Sequence, residues 1–223
     1  MGMWQIEMEP IKDWLDGLDK QTAYQVYAAL DLLRERGPNL KRPLVGKIEG
    51  SIIGSMKELR PGSTGRSEVR ILFVFDPERK AVLLVGGDKQ NKWNKWYKTA
   101  IREAERRYIR WLEEQHGKDT KMSYTLEDFK ADHDLDQKTI DERKEQLLEE
   151  MRLYELKEAR KQQDVTQKQL AERMGVSQKR VSSLESGDVD KTEIRTLRRY
   201  LDAIGGRLQV NAIMPDGRTL QLV

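Results

Sequence analysis

The sequence predicts an α+β domain, an antiparallel sheet packed by helices, followed by a mainly α domain that ends in a β-hairpin. Three observations carry this prediction. Trp4, Ile6 and Met8 alternate with Gln5 and Glu7, and Val69 to Phe75 is almost wholly apolar, both of which are strand patterns. Beyond the middle of the chain a helical period takes over and persists until Gly205-Gly206. The 223 residues suffice for two modest cores, and the charge divides unevenly between them: residues 1–121 carry 23 Lys/Arg and 18 Asp/Glu, residues 122–223 carry 18 and 20.

The elements follow in order. After the first strand, Pro10 opens a short helix with Ile11, Trp14, Leu15 and Leu18 on one side. A second helix carries Ala23, Val26, Tyr27, Leu30 and Leu33 and stops at Gly37-Pro38. A loop, NLKRPLVGKIEG, leads to three strands, Ile52 to Arg60, Glu68 to Phe75 and Ala81 to Val85, the last two joined by the turn Asp76-Pro77-Glu78. Arg70 is the exception in an otherwise apolar strand and calls for a partner, with Glu58 and Glu68 in reach across the strands. From Lys92 to Glu114 a third helix lines up Trp93, Trp96, Tyr97, Tyr108 and Trp111, a stripe that suits packing on the sheet.

Residues 115–136 lose periodicity, so the domains are set at 1–118 and 137–223 with a linker over 119–136. Residues 127–150 hold ten acidic and four basic side chains. That excess makes the stretch either a partner for the basic first domain or a solvated face. A long helix is expected from Thr139 to about Gln163, and a later one carries Ile194, Leu197, Leu201 and Ile204. RLQVNAIM and RTLQLV flank Pro215-Asp216-Gly217 as a hairpin whose outer strand is open to a second chain.

With no cysteine, disulfides and thiolate metal sites are excluded, and no cofactor is expected. No apolar run approaches membrane-spanning length and the start MGMWQIEMEP lacks a signal-peptide core, so a cytoplasmic protein without a membrane partner is expected.

VTQKQLAERMGVSQKRVSSLESG, residues 165–187, fits two short helices joined by a tight turn. Thr166 caps the first helix, with Leu170 and Met174 inward; Gly175 takes the turn; Ser177 caps the second, with Val181 and Leu184 inward. Such a unit offers its second helix to the DNA major groove. Gln178, Lys179, Ser182 and Ser183 then face outward toward base edges and phosphates, with Gln167, Ser177 and Arg180 beside them. The segment resembles the Xre/Cro-type helix-turn-helix of phage repressors and many antitoxins. That resemblance implies a homodimer, formed through the C-terminal domain, on palindromic operator DNA.

GSMKELRPGSTGRSEVRILFVFDPERKAVLLVGGDKQNKWNKWY resembles the HigB-like branch of the RelE toxin superfamily, through its KELR strand end, the G-R-x-x-x-R entry to the next strand, the apolar hairpin and the Gly-Gly-Asp-Lys stretch. Together the two resemblances imply a fused type II toxin–antitoxin protein, a RelE/HigB-like toxin followed by a HigA-like antitoxin. The implied activity is cleavage of messenger RNA on the ribosome, in which a ribose 2′-hydroxyl attacks the adjacent phosphate. Only two histidines occur, His116 and His133, both in or beside the linker, which disfavours a histidine-pair ribonuclease. Charge stabilisation is therefore assigned to Arg60, Arg66 and Arg70, and proton transfer or phosphate contact to Lys57, Lys89 and Tyr97. The alternative is a non-catalytic regulator whose first domain serves dimerisation or an effector.

Overall fold

The computed structural model describes residues 3–62, 68–88, 93–115, 124–187 and 192–222. Two compact units result, residues 1–148 and residues 149–223. Unit 1 is built on a five-stranded sheet in the order β1-β5-β4-β3-β2. Its strands are β1 (Gln5–Glu7), β2 (Val45–Lys47), β3 (Lys57–Leu59), β4 (Val69–Phe75) and β5 (Lys80–Asp88). Only β1 pairs in parallel, with β5; every other pairing is antiparallel. Central β4 is the apolar strand, covered on both faces as its sequence requires.

Two strand assignments change. Ile52 is 80% exposed in a turn, and the strand expected from residue 52 is confined to Lys57–Leu59. The edge strand β2 forms within the segment expected as a loop: Val45, Gly46 and Lys47 pair with Leu59, Glu58 and Lys57. Its three residues are too few to display a period.

One sheet face is covered by α3 (Trp93–Gln115), whose Ala100, Ala104 and Trp111 pack with Leu72, Val74, Val82 and Leu84. Trp96, Tyr97 and Tyr108 pack against the same cluster, so that part of the aromatic stripe is core. Elsewhere in the unit lie α1 (Lys12–Asp16) and α2 (Lys20–Arg36), the latter capped by Asp19, which accepts from the Thr22 amide at 3.0 Å. Gly37 ends α2 with φ +52°, and a Cβ there would stand 2.1 Å from the Trp4 indole nitrogen, so both conformation and space require glycine.

Every residue of α2 from Ala23 to Leu33 is buried, which one apolar stripe does not explain. The second cover comes from residues 124–148. There α4 (Leu126–Asp132) stands where a linker over 119–136 was expected, and α5 (Gln137–Gln162) is the long helix expected from Thr139 to about Gln163. Leu126, Phe129, Leu135 and Ile140 are buried, and Phe129 stacks on Tyr27 with ring centroids 6.3 Å apart. Thr125 and Asp128 form a reciprocal cap on α4. The compact unit therefore extends past the residue-118 boundary to Leu148, inside α5.

The acidic stretch does not dock as an acid on a base. Arg34 meets Glu127 at 2.7 Å, but Lys144 runs the other way, bonding Asp31 at 2.6 Å and Glu35 at 2.5 Å. Burial opposes the Lys144 charge, and the bonds to Asp31 and Glu35 outweigh it, raising the lysine above its ordinary range. Ion pairs of both senses thus frame an apolar centre.

In unit 2, α6 (Gln167–Met174), α7 (Gln178–Leu184) and α8 (Ile194–Ala203) close on Leu170, Met174, Val181, Leu184 and Tyr200, with Leu156 and Ala159 packed alongside. The chain then forms the hairpin β6 (Asn211–Ile213) and β7 (Thr219–Gln221). The expected fold class, an α+β domain and a helix-turn-helix domain with a C-terminal hairpin, is the observed one. Among the described residues no helix is long and apolar enough to cross a membrane.

If residues 124–148 belong to the first core, Phe129→Ala will destabilise that unit by about 3–5 kcal/mol in denaturant melts. A fragment 1–148 will melt cooperatively and a fragment 1–118 will not. Equal melting of the two fragments would refute the assignment.

Candidate active site and nucleic-acid interface

On the α3 face of the sheet Glu58 is 1% exposed, and a carboxylate at that depth requires cations and donors. Arg60 supplies them through Nε and Nη2, both 2.5 Å from Oε1. The Tyr97 hydroxyl donates to Oε2, and Arg70 Nε stands 3.8 Å from the same oxygen. That distance is an ion pair rather than a hydrogen bond, and Arg70 Nε has no hydrogen-bond partner among the described residues. Arg70 Nη1 donates to the Val69 carbonyl at 2.7 Å, which fixes the guanidinium. Burial, then the bond to Glu58 and its negative charge, push the Tyr97 phenol up to about 12, against the opposing pull of Arg70 and Arg60. The phenol is thus a proton donor at neutral pH.

Two glycines make room. Gly46 sits opposite Glu58 in the register, and a Cβ there would lie 2.9 Å from Arg60 Nη2. Gly87 sits opposite Arg70, and a Cβ there would lie 2.6 Å from the Trp96 indole nitrogen.

The structure thus brings together Arg60, Arg70 and Tyr97. Lys57 neighbours Glu58 on β3 and pairs with Phe73 in the register, so strand alternation turns it to the opposite face, away from the cluster. Arg66 and Lys89 lie outside the described residues. Glu58 is the residue that sequence reasoning missed as the organiser. The signal was there in the arginine of β4, which needed an acid across the strands.

In unit 2 the local sequence forms the expected geometry. Thr166 and Gln169 make a reciprocal cap on α6, with Thr166 Oγ1 accepting from the Gln169 amide at 3.2 Å and Gln169 Oε1 accepting from the Thr166 amide at 2.9 Å. Gly175 adopts the left-handed conformation at φ +62°, and Ser177 Oγ accepts from the Arg180 amide at 3.2 Å to start α7. Gln178, Lys179, Arg180, Ser182 and Ser183 are exposed, as is Ser177 at the cap. Ser183 Oγ donates back to the Lys179 carbonyl at 2.9 Å. Gln167 differs from the others: half-buried, it donates its amide to Glu185 at 2.9 Å.

Glu185 is the buried carboxylate among the described residues of unit 2, 7% exposed. Arg160 grips it with Nε at 2.5 Å and Nη2 at 3.0 Å, and the Tyr200 hydroxyl donates at 2.6 Å. Burial works to raise the Glu185 carboxyl, but the bonds from Arg160, Tyr200 and Gln167 outweigh it and hold the group below its ordinary value. The pair ties the end of α5 to the end of α7, fixing the helix that presents Gln178 and Lys179.

An α+β domain with a buried carboxylate, arginine and tyrosine cluster thus precedes a helix-turn-helix domain. Residues 13–109 match the family described as Phage derived protein Gp49-like (DUF891), and residues 156–210 match the Helix-turn-helix family. The chain is 43% identical over 112 residues to the toxin HigB3 of Mycobacterium tuberculosis, covering 50% of this chain and 96% of that protein. It is 36% identical over 95 residues to the antitoxin HigA2 of the same organism, covering 43% of this chain and 94% of that one. The chain belongs to the HigB and HigA toxin–antitoxin family, with a HigB-type domain followed by a HigA-type helix-turn-helix domain. HigB2 of the same organism is 49% identical over 109 residues, 49% of this chain, which spans about half of its length, 54%. A solved structure of DNA-bound antitoxin HigA3 is 45% identical with a TM-score of 0.28, over 30% of this chain and 85% of that one.

Removing the carboxylate at the second hub strands a buried guanidinium, so Glu185→Gln will lower protection of α6 to α8 in hydrogen exchange by about 3–5 kcal/mol. Because the folded-state value of Glu185 is depressed, its contribution is complete above the ordinary value of 4.5 and fades as pH falls through the lower folded value. The parent and Glu185→Gln will therefore converge in acid; a constant difference across that range would contradict the assignment.

Proposed function

We propose that this chain is a toxin and its antitoxin in one polypeptide, with a ribosome-dependent messenger RNA endoribonuclease in the first domain. The helix-turn-helix domain restrains it and represses transcription of its own gene. The observation that carries the nuclease reading is the convergence of Arg60, Arg70 and the protonated Tyr97 on Glu58. When a ribose 2′-hydroxyl attacks the adjacent phosphorus, giving up its proton to solvent water and closing a 2′,3′-cyclic phosphate, negative charge builds on the phosphoryl oxygens and the bond to the 5′ oxygen breaks. Guanidinium forks stabilise the first, and a phenol gives its proton to the second, an alkoxide more basic than a phenolate. The phenolate left behind is met by Arg60 and Arg70. Glu58, already holding three partners, positions them.

On the DNA side, Gln178, Lys179 and Ser182 form the exposed edge of α7 for bases and phosphates, with Arg180 beside them and Ser177 at the helix start. Gln167 positions the assembly through Glu185 rather than reaching out. The β6–β7 hairpin leaves Ile213 80%, Leu222 62% and Leu220 44% exposed, and an isolated two-stranded hairpin is marginal in water. Pairing with the same hairpin of a second copy supplies the missing cover and a dimer for a palindromic operator. One polypeptide also keeps inhibitor and toxin at a local concentration of roughly millimolar.

In a reconstituted translation reaction, residues 1–148 will cut message within ribosome-bound codons, mapped by primer extension. The full chain will cut less. Arg60→Ala with Arg70→Ala will lower the cutting rate by at least about a hundredfold, as expected for lost charge stabilisation. Intact message with a folded 1–148 fragment would leave the non-catalytic reading. Separately, Ile213→Lys will shift the chain from dimer to monomer in sedimentation, and an unshifted profile would move the dimer contact elsewhere.

A further inference from the structure

The outward side of α3 carries Lys98, Arg102, Arg106 and Arg110 at four-residue spacing, all exposed. On a helix that spacing sets four cations in a stripe about 18 Å long. Arg106 is paired with Glu103, while no carboxylate pairs with Lys98, Arg102 or Arg110 among the described residues. Beside the stripe runs a groove of about 760 Å³, walled by Trp96, Val85, Ile52 and Ile109, with Arg102 and Arg106 at its rim. Glu105 builds the far wall: its Oε1 accepts from Ser51 Oγ at 2.9 Å and from the Ile52 amide at 2.8 Å, pinning the 51–53 turn to α3. Ile52 and Ile109 are left 80% and 48% exposed.

We propose that this groove is a subsite for single-stranded RNA, taking a base against its apolar walls and phosphates on Arg102 and Arg106. It deepens the nuclease reading above and rests on it. Two observations choose this occupant. Arg102 and Arg106 border apolar walls, while the two carboxylates of the lining are already engaged, Glu103 by Arg106 and Arg107 and Glu105 by Ser51 and the Ile52 amide, an arrangement that suits a chain of phosphates bearing flat bases. The groove also adjoins the Glu58 cluster across Trp96, which lines it, packs edge-on to Tyr97 at 5.0 Å and covers Gly87 opposite Arg70. An RNA strand in the groove therefore runs on toward the proposed scissile phosphate. Duplex nucleic acid does not fit the same description, since its bases are stacked away from such walls.

The test uses the full chain and a short fluorescein-labelled oligo(U), read by fluorescence anisotropy across salt concentrations. Arg102→Gln with Arg106→Gln will raise the Kd about tenfold or more and flatten the slope of log affinity against log salt by about 0.7 for each lost phosphate contact. Ile109→Asp will weaken binding and Ile109→Leu will retain it, with unchanged circular dichroism for each. Lys179→Ala with Arg180→Ala will leave oligo(U) binding intact while weakening binding to duplex DNA. Oligo(U) affinity that ignores the α3 substitutions, or follows Lys179 and Arg180 instead, overturns the proposal. So does capture of an acidic amphipathic peptide that depends on Arg102 and Ile109 while RNA binding does not. Because binding is read without cleavage, absent cutting with groove-dependent binding would refute the nuclease reading alone.

Discussion

A carboxylate removed from water must be met by cations and hydrogen-bond donors, and that requirement organises both units of this chain. Glu58 and Glu185 are 1% and 7% exposed. Each is held by an arginine and a tyrosine hydroxyl, Arg60 and Tyr97 in one case and Arg160 and Tyr200 in the other. The difference lies in what remains unspent. Around Glu185 every group is turned inward: Arg160 Nη1 also bonds the Val165 carbonyl at 2.6 Å, and Gln167 completes the shell. Around Glu58, Arg70 stands off at 3.8 Å, Arg60 is part-exposed, and two glycines replace the side chains that would fill the space. A saturated hub fixes a helix; an unsaturated one leaves donors for a ligand.

The same sheet that positions Glu58 divides the work of unit 1 between its faces. Alternation along β3 and β4 sends Glu58, Arg70 and Leu72 to the α3 side and Lys57 and Phe73 to the other. A one-residue slip of β3 would exchange Glu58 for Lys57 and bring a lysine beside Arg70, a like-charge contact with no acid to relieve it. Register and electrostatics therefore support one another. The apolar pairing of β4 with β5, from Val69 opposite Asp88 to Phe75 opposite Ala81, holds that register in place.

The sequence made the helix-turn-helix legible to the residue because its signals are local: caps at Thr166 and Ser177, a left-handed glycine at 175 and two apolar stripes. The α3 helix and the β4–β5 hairpin were legible for the same reason. The edge strand β2 was not, since three residues show no period and its place is set by Glu58 and Leu59 across the ladder. Residues 124–136 were read as a linker because their apolar residues, Tyr124, Leu126, Phe129 and Leu135, are spaced too irregularly for one stripe, whereas the helix expected from Thr139 is part of α5. Their burial depends on α2, a hundred residues away in sequence. Likewise, Arg60 and Arg70 were visible as cations, whereas the carboxylate joining them becomes an organiser only once β3 pairs with β4.

That misread segment also changes what separating toxin from antitoxin means physically. A cut near residue 119 would part the chain while α4 and the start of α5 still hold α2 through the Phe129–Tyr27 stack, the Tyr24–Asp136 bond and the Lys144 bridge to Asp31 and Glu35. Such contacts persist without the covalent link, only losing its local concentration. A cut after Leu148 leaves them entirely within the first unit. Residues 124–148 are thus continuous in sequence with the second unit and packed as part of the first. Their exposed Lys20–Asp134 and Arg34–Glu127 pairs contribute little to that attachment, and the buried Asp31 with its lysine, arginine and apolar surroundings contributes more.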